Sequence, residues 1–182
     1  MVENWETIST MTNREMRHAL AALIREFVAA CDKWNADKIF RIHHDGDFFS
    51  RDYADAWAAV VKAFPDVHFW VYTRSFTPGI NVIDLIADIP NLSVYLSVDA
   101  DNMRYARTIL DEYPSVKLAA LMQTSGEAAG MIRGIREDNR PGAICPENVR
   151  RIPLITAEGG ACKTCDICVH GKADVRFAIG KS

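Results

Sequence analysis

Apolar residues recur at helical spacing over residues 13–31, "NREMRHALAALIREFVAAC". Met16, Leu20, Leu23, Ile24 and Phe27 form one stripe, and Asn13 is placed to cap the start. Further on, short apolar runs alternate with helical stretches. "KIFRIHH", "VHFWVYT", "LSVYLSV" and "VKLAALMQ" read as strands beginning near residues 38, 67, 92 and 116. Between them, "SRDYADAWAAVVKAF" with Ser50 as N-cap, "INVIDLIADI" and "DNMRYARTILDEY" read as helices; "GEAAGMIRGI" is a shorter one after the fourth strand. Pro65-Asp66, Pro90-Asn91 and Pro114-Ser115 each stop a helix just ahead of a strand. A strand roughly every 25 residues is the rhythm of βα units joined by right-handed crossovers into a parallel sheet. From about residue 135 the rhythm stops. Turns and glycines take over, with one short strand predicted at "DVRFAI".

Four βα units are too few for an eight-stranded barrel. An open doubly wound sheet and a partial barrel remain, and side-chain parity favours the second. Arg41, His43 and Asp45 share one face of the first strand; Trp70, Tyr72 and Arg74 share one in the second. Ser93, Tyr95, Ser97 and Asp99 do so in the third. One sheet face is therefore polar, whereas doubly wound sheets are apolar on both. The fold class expected is α/β: a partial (βα) barrel of about four parallel strands with an N-terminal helix and a cysteine-rich, irregular C-terminal segment. One domain spans 1–182, with 1–36 helical, 37–134 the βα units and 135–182 the metal-binding segment.

Composition adds limits. The 182 residues are 49% hydrophobic and 25% charged, with a net charge of −3. That balance gives no basic footprint for nucleic acid. No apolar run is long enough to span a bilayer, and "MVENWETIST" has no signal pattern. A cytoplasmic location is expected, where clustered cysteines bind metal more often than they pair.

Five cysteines are present, and three stand in "ACKTCDICVHGK". With Cys145 in "GAICPENV", the pattern is C-x16-C-x2-C-x2-C, made by Cys145, Cys162, Cys165 and Cys168. Thiolates at this spacing can curl round one centre, either an iron–sulfur cluster or structural zinc. A continuous CxxCxxC plus a remote cysteine followed by proline favours a [4Fe–4S] cluster over zinc, and both over free thiols. Cys31, ending an apolar helix, reads as a buried small hydrophobe. Amides of "GGAC" could donate to cluster sulfurs; Arg133, Arg136, Arg140, Arg150 and Arg151 read first as a solvated surface and otherwise as charges that offset the cluster. His170 is a candidate donor, or a zinc ligand in place of Cys145.

The strand ends carry the remaining chemistry. "HHDGDFFS" offers Asp45 and Asp47, "YTRSFTPG" offers Thr73, Arg74 and Ser75, and "SVDADN" offers Asp99 and Asp101. "MQTSGE" places Ser125 and Gly126 near a helix start. Parallel strands set such ends side by side, where βα folds keep their chemistry. Arg74 would clamp a small anionic substrate or pair with Asp47 or Asp99; Asp99 or Asp101 would otherwise cap a helix. Ser75 is conceivable as a non-cysteine ligand. No GxGxxG, P-loop, HExxH, nucleophile elbow or CxxxCxxC is present.

The stretch "FRIHHDGDFFSRDYADAWAAVVKAFPDVHFWVYTRSF", then "LSVYLSVDADN" and the terminal "CP…CKTCDIC…DVRF", resembles a family of bacteriophage proteins catalogued as gene product eighty-eight. The resemblance covers most of residues 38–177. It implies a phage-encoded protein of the bacterial cytoplasm with a barrel similar in outline to radical-SAM folds. It supplies no reaction. The family pattern carries over to Arg41, His43, Gly46, Asp47, Tyr72, Thr73, Arg74, Ser75, Ser97, Asp99 and the four cysteines. Longer members have a further N-terminal segment containing a cysteine.

Two functions are therefore expected. In one, the four cysteines hold a [4Fe–4S] cluster beside Arg41, His43, Asp47, Arg74, Ser97 and Asp99. These would serve redox or cluster-dependent catalysis, with His43 and an aspartate moving protons. In the other, iron–sulfur or zinc only stabilises a module that binds a host protein.

Overall fold

A computed structural model describes residues 2–149, 151–153, 155–156 and 159–179. The long amphipathic helix forms as expected, one residue earlier in its capping. Helix α1 (Val2–Ser9) leads to α2 (Asn13–Trp34), whose N-cap is Thr12 in a capping box with Glu15 rather than Asn13. Strand β1 (Ile39–Ile42) precedes α3 (Arg51–Ala63), which Ser50 caps by accepting the Tyr53 amide. After β2 (His68–Thr73) come a small hairpin, β3 (Phe76–Thr77) with β4 (Ile80–Asn81), and the single turn α4 (Ile83–Ile86). Then follow β5 (Leu92–Val98), α5 (Met103–Glu112), β6 (Lys117–Met122) and α6 (Ser125–Arg136), the last capped by Thr124 and Glu127. The tail adds β7 (Ala143–Ile144), β8 (Ile155–Thr156), β9 (Gly159–Gly160), α7 (Ala161–Cys165) and β10 (Val175–Ala178).

The main sheet runs β1-β2-β5-β6-β10-β7, and every pairing in it is parallel. Neighbours β1, β2, β5 and β6 succeed one another in the chain, the winding of a barrel rather than a doubly wound sheet. The fold is α/β, as expected, with six strands in the main sheet rather than about four. The two additional strands come from the tail. β7 leaves a gap beside β6, and β10 enters that gap after the cysteine segment.

The two sheet faces differ. Ile42, Phe69, Val71, Val94, Leu96, Val98, Leu118 and Ala120 pack against α2 to α6 in the main core. On the opposite face Trp70, Tyr95, Ala119 and Val175 pack against Cys168 and Val169 of the tail. The tail thus covers the polar face. Ser93 donates to the Val169 carbonyl at 2.9 Å, and the Tyr95 hydroxyl lies 3.2 and 3.0 Å from the carbonyls of Ile167 and Ala173. Gly171 has φ +58, and a Cβ there would stand 3.1 Å from Ser93 Oγ, so the close approach and the turn both call for glycine.

A latch fixes β10. Asp174, one residue ahead of it, accepts the Leu118 amide at 2.8 Å. The same carboxylate binds Arg136 of α6 through two bonds of 2.8 and 2.7 Å, while Arg136 also donates to the Val116 carbonyl. Both side chains are largely buried, 17% and 11% exposed.

Candidate metal centre

The CxxC step lies on one helical turn. Cys162 and Cys165 fall in α7, three residues apart, so both thiols leave the same side. Asp166 then takes a left-handed conformation (φ 61), and its amide bonds the Cys162 carbonyl at 2.8 Å. This reversal swings Cys168 down onto the sheet face. Cys145 follows β7, and its amide bonds the Arg176 carbonyl at 3.1 Å, extending the ladder. Asn148 holds the next turn by exchanging two bonds, 3.0 and 2.8 Å, with the backbone of Ala178.

All four thiols line one cavity of about 410 Å³. Its floor is the polar sheet face: Arg41 of β1, Tyr72 of β2, Ser97 of β5 and Phe177 of β10. Cys168 is buried, Cys145 and Cys165 are half-buried, and Cys162 is exposed. Among the described residues no three His, Cys, Asp or Glu side chains are placed to hold a single metal ion.

The cavity discourages free thiolates. Burial pushes the Cys168 thiol up to about 11; the Tyr72 hydroxyl works against this, while the other three cysteines add to it. Burial raises Cys145 too. For Cys162, loss of water at the sulfur and the charge of Cys145 raise the pKa, and Arg41 opposes them. Burial, with Cys168 next, keeps the Tyr72 and Tyr95 hydroxyls protonated. Such a set of thiols gives up its protons when a cationic centre takes their place.

Of the other residues drawn from the sequence, Arg41 and Ser97 share the cavity wall; His43, Asp47, Arg74, Ser75 and Asp99 do not. His43 departs from the expected parity. It ends β1 with φ 57, a left-handed turn that throws its ring to the helix side, against Phe48, Tyr53 and Trp57. Its Nε2 lies 3.1 Å from the Tyr53 hydroxyl. Asp47 ties two strand ends: it accepts the Thr73 hydroxyl at 2.6 Å and the Arg74 amide at 2.5 Å. Arg74 pairs with Asp99, yet its side chain stays 54% exposed. Asp99 also accepts the amides of Asp101 and Asn102, shaping the start of α5. The buried Ser75 hydroxyl donates to the Phe48 carbonyl.

The tail arginines face elsewhere. Arg136 serves the Asp174 latch, Arg140 pairs with Asp138, and Arg133 reaches the Asn139 carbonyl. Arg151 is exposed, and Arg150 lies outside the described residues. His170 pairs with Asp166 and packs edge-on to His68, outside the cavity wall. Cys31 is buried on α2, with its thiol 3.6 Å from the Asp37 carbonyl. Asp166, Asn148 and Asp174 were missed. Only Asp174 had a local signal, an acid directly ahead of a predicted strand.

Acid should expose the position of His43. Burial lowers its pKa from 6.5 to about 4, with the charge of Asp47 opposing. The unfolded chain therefore takes up this proton first as pH falls, so the stability is complete above 6.5 and is lost towards 4. The loss amounts to about 3 kcal/mol. Urea midpoints for H43N, which tolerates the left-handed backbone, should fall less steeply between pH 7 and pH 4 than those of the parent; parallel curves would refute the assignment.

A family model described as Gene product 88 matches residues 2–171. The chain is 36% identical over 182 residues to the Gene 88 protein of Mycobacterium phage L5, spanning 100% of this chain and 71% of that protein. It is 37% identical over 183 residues to the Gene 88 protein of Mycobacterium phage D29, again with 100% and 71% covered. No solved structure gives a significant match. Among the described residues no helix is long and apolar enough to cross a membrane.

Proposed function

The chain belongs to the Gene product 88 family of bacteriophage proteins, and on that premise, which names no chemistry, we propose that it is an iron–sulfur protein. Cys145, Cys162, Cys165 and Cys168 would hold one [4Fe–4S] cluster against the polar face of the sheet. The observation that carries this reading is the single cavity lined by all four thiols. Two further features support it. The donor set is all thiolate, the ligand type of a cubane, and its four members come from one cavity wall. Arg41 Nε is also buried at that cavity without a hydrogen-bond partner, which suits an anionic occupant.

The cluster supplies one-electron chemistry when bound. The protein's own groups shape its surroundings. Tyr72 and Tyr95 bring hydroxyls to Cys168, Phe177 and Val169 keep water from the inner side, and exposed Cys162 marks the side open to a redox partner or small substrate. The Asp47–Thr73 and Arg74–Asp99 contacts brace the strand ends rather than the cavity. Work in the cytoplasm of the bacterial host is part of this proposal.

Anaerobic purification and reconstitution test it. The expected product is brown, with about four iron and four sulfide per chain. A colourless protein carrying one zinc per chain would overturn the cluster and leave the metal-stabilised binding module as the reading.

A further inference from the structure

Among the described residues, Arg41 and Arg176 have a buried Nε without a hydrogen-bond partner, and Arg176 is still held on the helix side through the Ser125 carbonyl. Arg41 leaves β1 on the face that the tail covers, and its guanidinium carbon lies 5.0 Å above the Tyr72 ring. It lines the cysteine cavity, and its Nε is buried without a hydrogen-bond partner. Among the described residues, the arginine ion pairs with carboxylates involve Arg17, Arg51, Arg74, Arg107, Arg136 and Arg140, not Arg41. A partly desolvated charge needs a counter-charge, and stacking on Tyr72 fixes where this one points.

We infer that Arg41 is the counter-charge of the cluster and sets its reduction potential. The inference rests on the iron–sulfur reading above. A cubane on four thiolates is an anion, and one electron from a reductant such as dithionite adds a further negative charge. Arg41 sits where it favours the reduced form. Of the arginines drawn to this role by their place in the sequence, Arg136 and Arg140 are paired with carboxylates and Arg133 bonds the Asn139 carbonyl. Arg41 approaches from the far edge strand of the sheet instead.

The test compares R41Q and R41K with the parent after anaerobic reconstitution, using dithionite titrations read by visible absorption, with iron content as control. At a fixed poise, the ratio of reduced to oxidised cluster in R41Q should fall about tenfold, the scale of one charge at a half-buried site. R41K should remain within about threefold, because the charge is kept. Should R41Q fail to take up iron while R41K loads, the counter-charge role is again supported. R41Q titrating like the parent at equal iron content overturns the inference, and so does R41K shifting as far as R41Q or neither variant loading. A parent protein without a cluster removes the iron–sulfur reading itself, an outcome visible before either variant is made.

Discussion

Cys168→Ala should leave the reconstituted protein nearly colourless, its iron falling from about four per chain to close to none. Cys168 is the buried member of the set and packs on Trp70, Tyr95 and Val175. The left-handed turn at Asp166 aims it at the sheet, so no neighbouring side chain can take its place without undoing that turn. Its loss opens the inner side of the site, where water is otherwise kept out. The side-chain change itself is small, so the apo form should fold with a melting temperature close to that of the parent apo protein. The difference appears on loading: the parent gains stability from what it binds, in proportion to how tightly it binds, and the variant does not. C31A is the control. Cys31 lies on α2 beside Asp37, remote from the cavity wall, and its loss should leave iron content unchanged. Full iron and sulfide in C168A would remove Cys168 from the ligand set.

Asp174→Ala should be the most damaging single change outside the cysteines. It leaves Arg136 buried without its carboxylate and strands the Leu118 amide. Breaking one side of a buried ion pair costs about 3–5 kcal/mol, or roughly 10 °C in melting temperature for a chain of this size. D174N retains an acceptor for the Leu118 amide and should lose less. Thermal denaturation followed by circular dichroism measures both. A D174A protein melting within about 2 °C of the parent would show that the latch contributes little. Because Asp174 is where the chain re-enters the sheet after the cysteine segment, D174A should also load less iron at equal temperature, which separates this variant from an ordinary destabilised core.

Much of the scaffold was legible because its signals are local. Apolar runs of strand length, the Ser50 cap and the proline stops between helix and strand each act over a few residues, and β2, β5 and β6 begin within one residue of their expected starts. Strand parity correctly set Arg41, Tyr72, Tyr95 and Ser97 on one face. It failed at His43 because a single left-handed residue ends the alternation, and nothing in "HHDGD" says which residue will adopt it. The short strand expected at "DVRFAI" forms as β10, but β7 and the place of β10 in the sheet were beyond reach for a different reason. A two-residue strand has no period, and the insertion of β10 between β6 and β7 depends on Asp174 meeting Arg136, 38 positions away in the chain. The spacing of the cysteines is a local signal, whereas Arg41, which lines the same cavity, lies more than a hundred positions earlier and carried no local sign of that neighbourhood.

The order of synthesis gives the β10 insertion a temporal meaning. While the ribosome is still making the tail, β6 and β7 flank a vacant track, and the half-built sheet presents bare backbone there. All four sulfur donors emerge before the strand that fills this track. Iron delivered during translation would meet a site still hinged open, whereas iron arriving afterwards must enter past Cys162. On the iron–sulfur proposal, nascent chains and finished protein should thus load by different routes, with the last strand acting as the closing clasp.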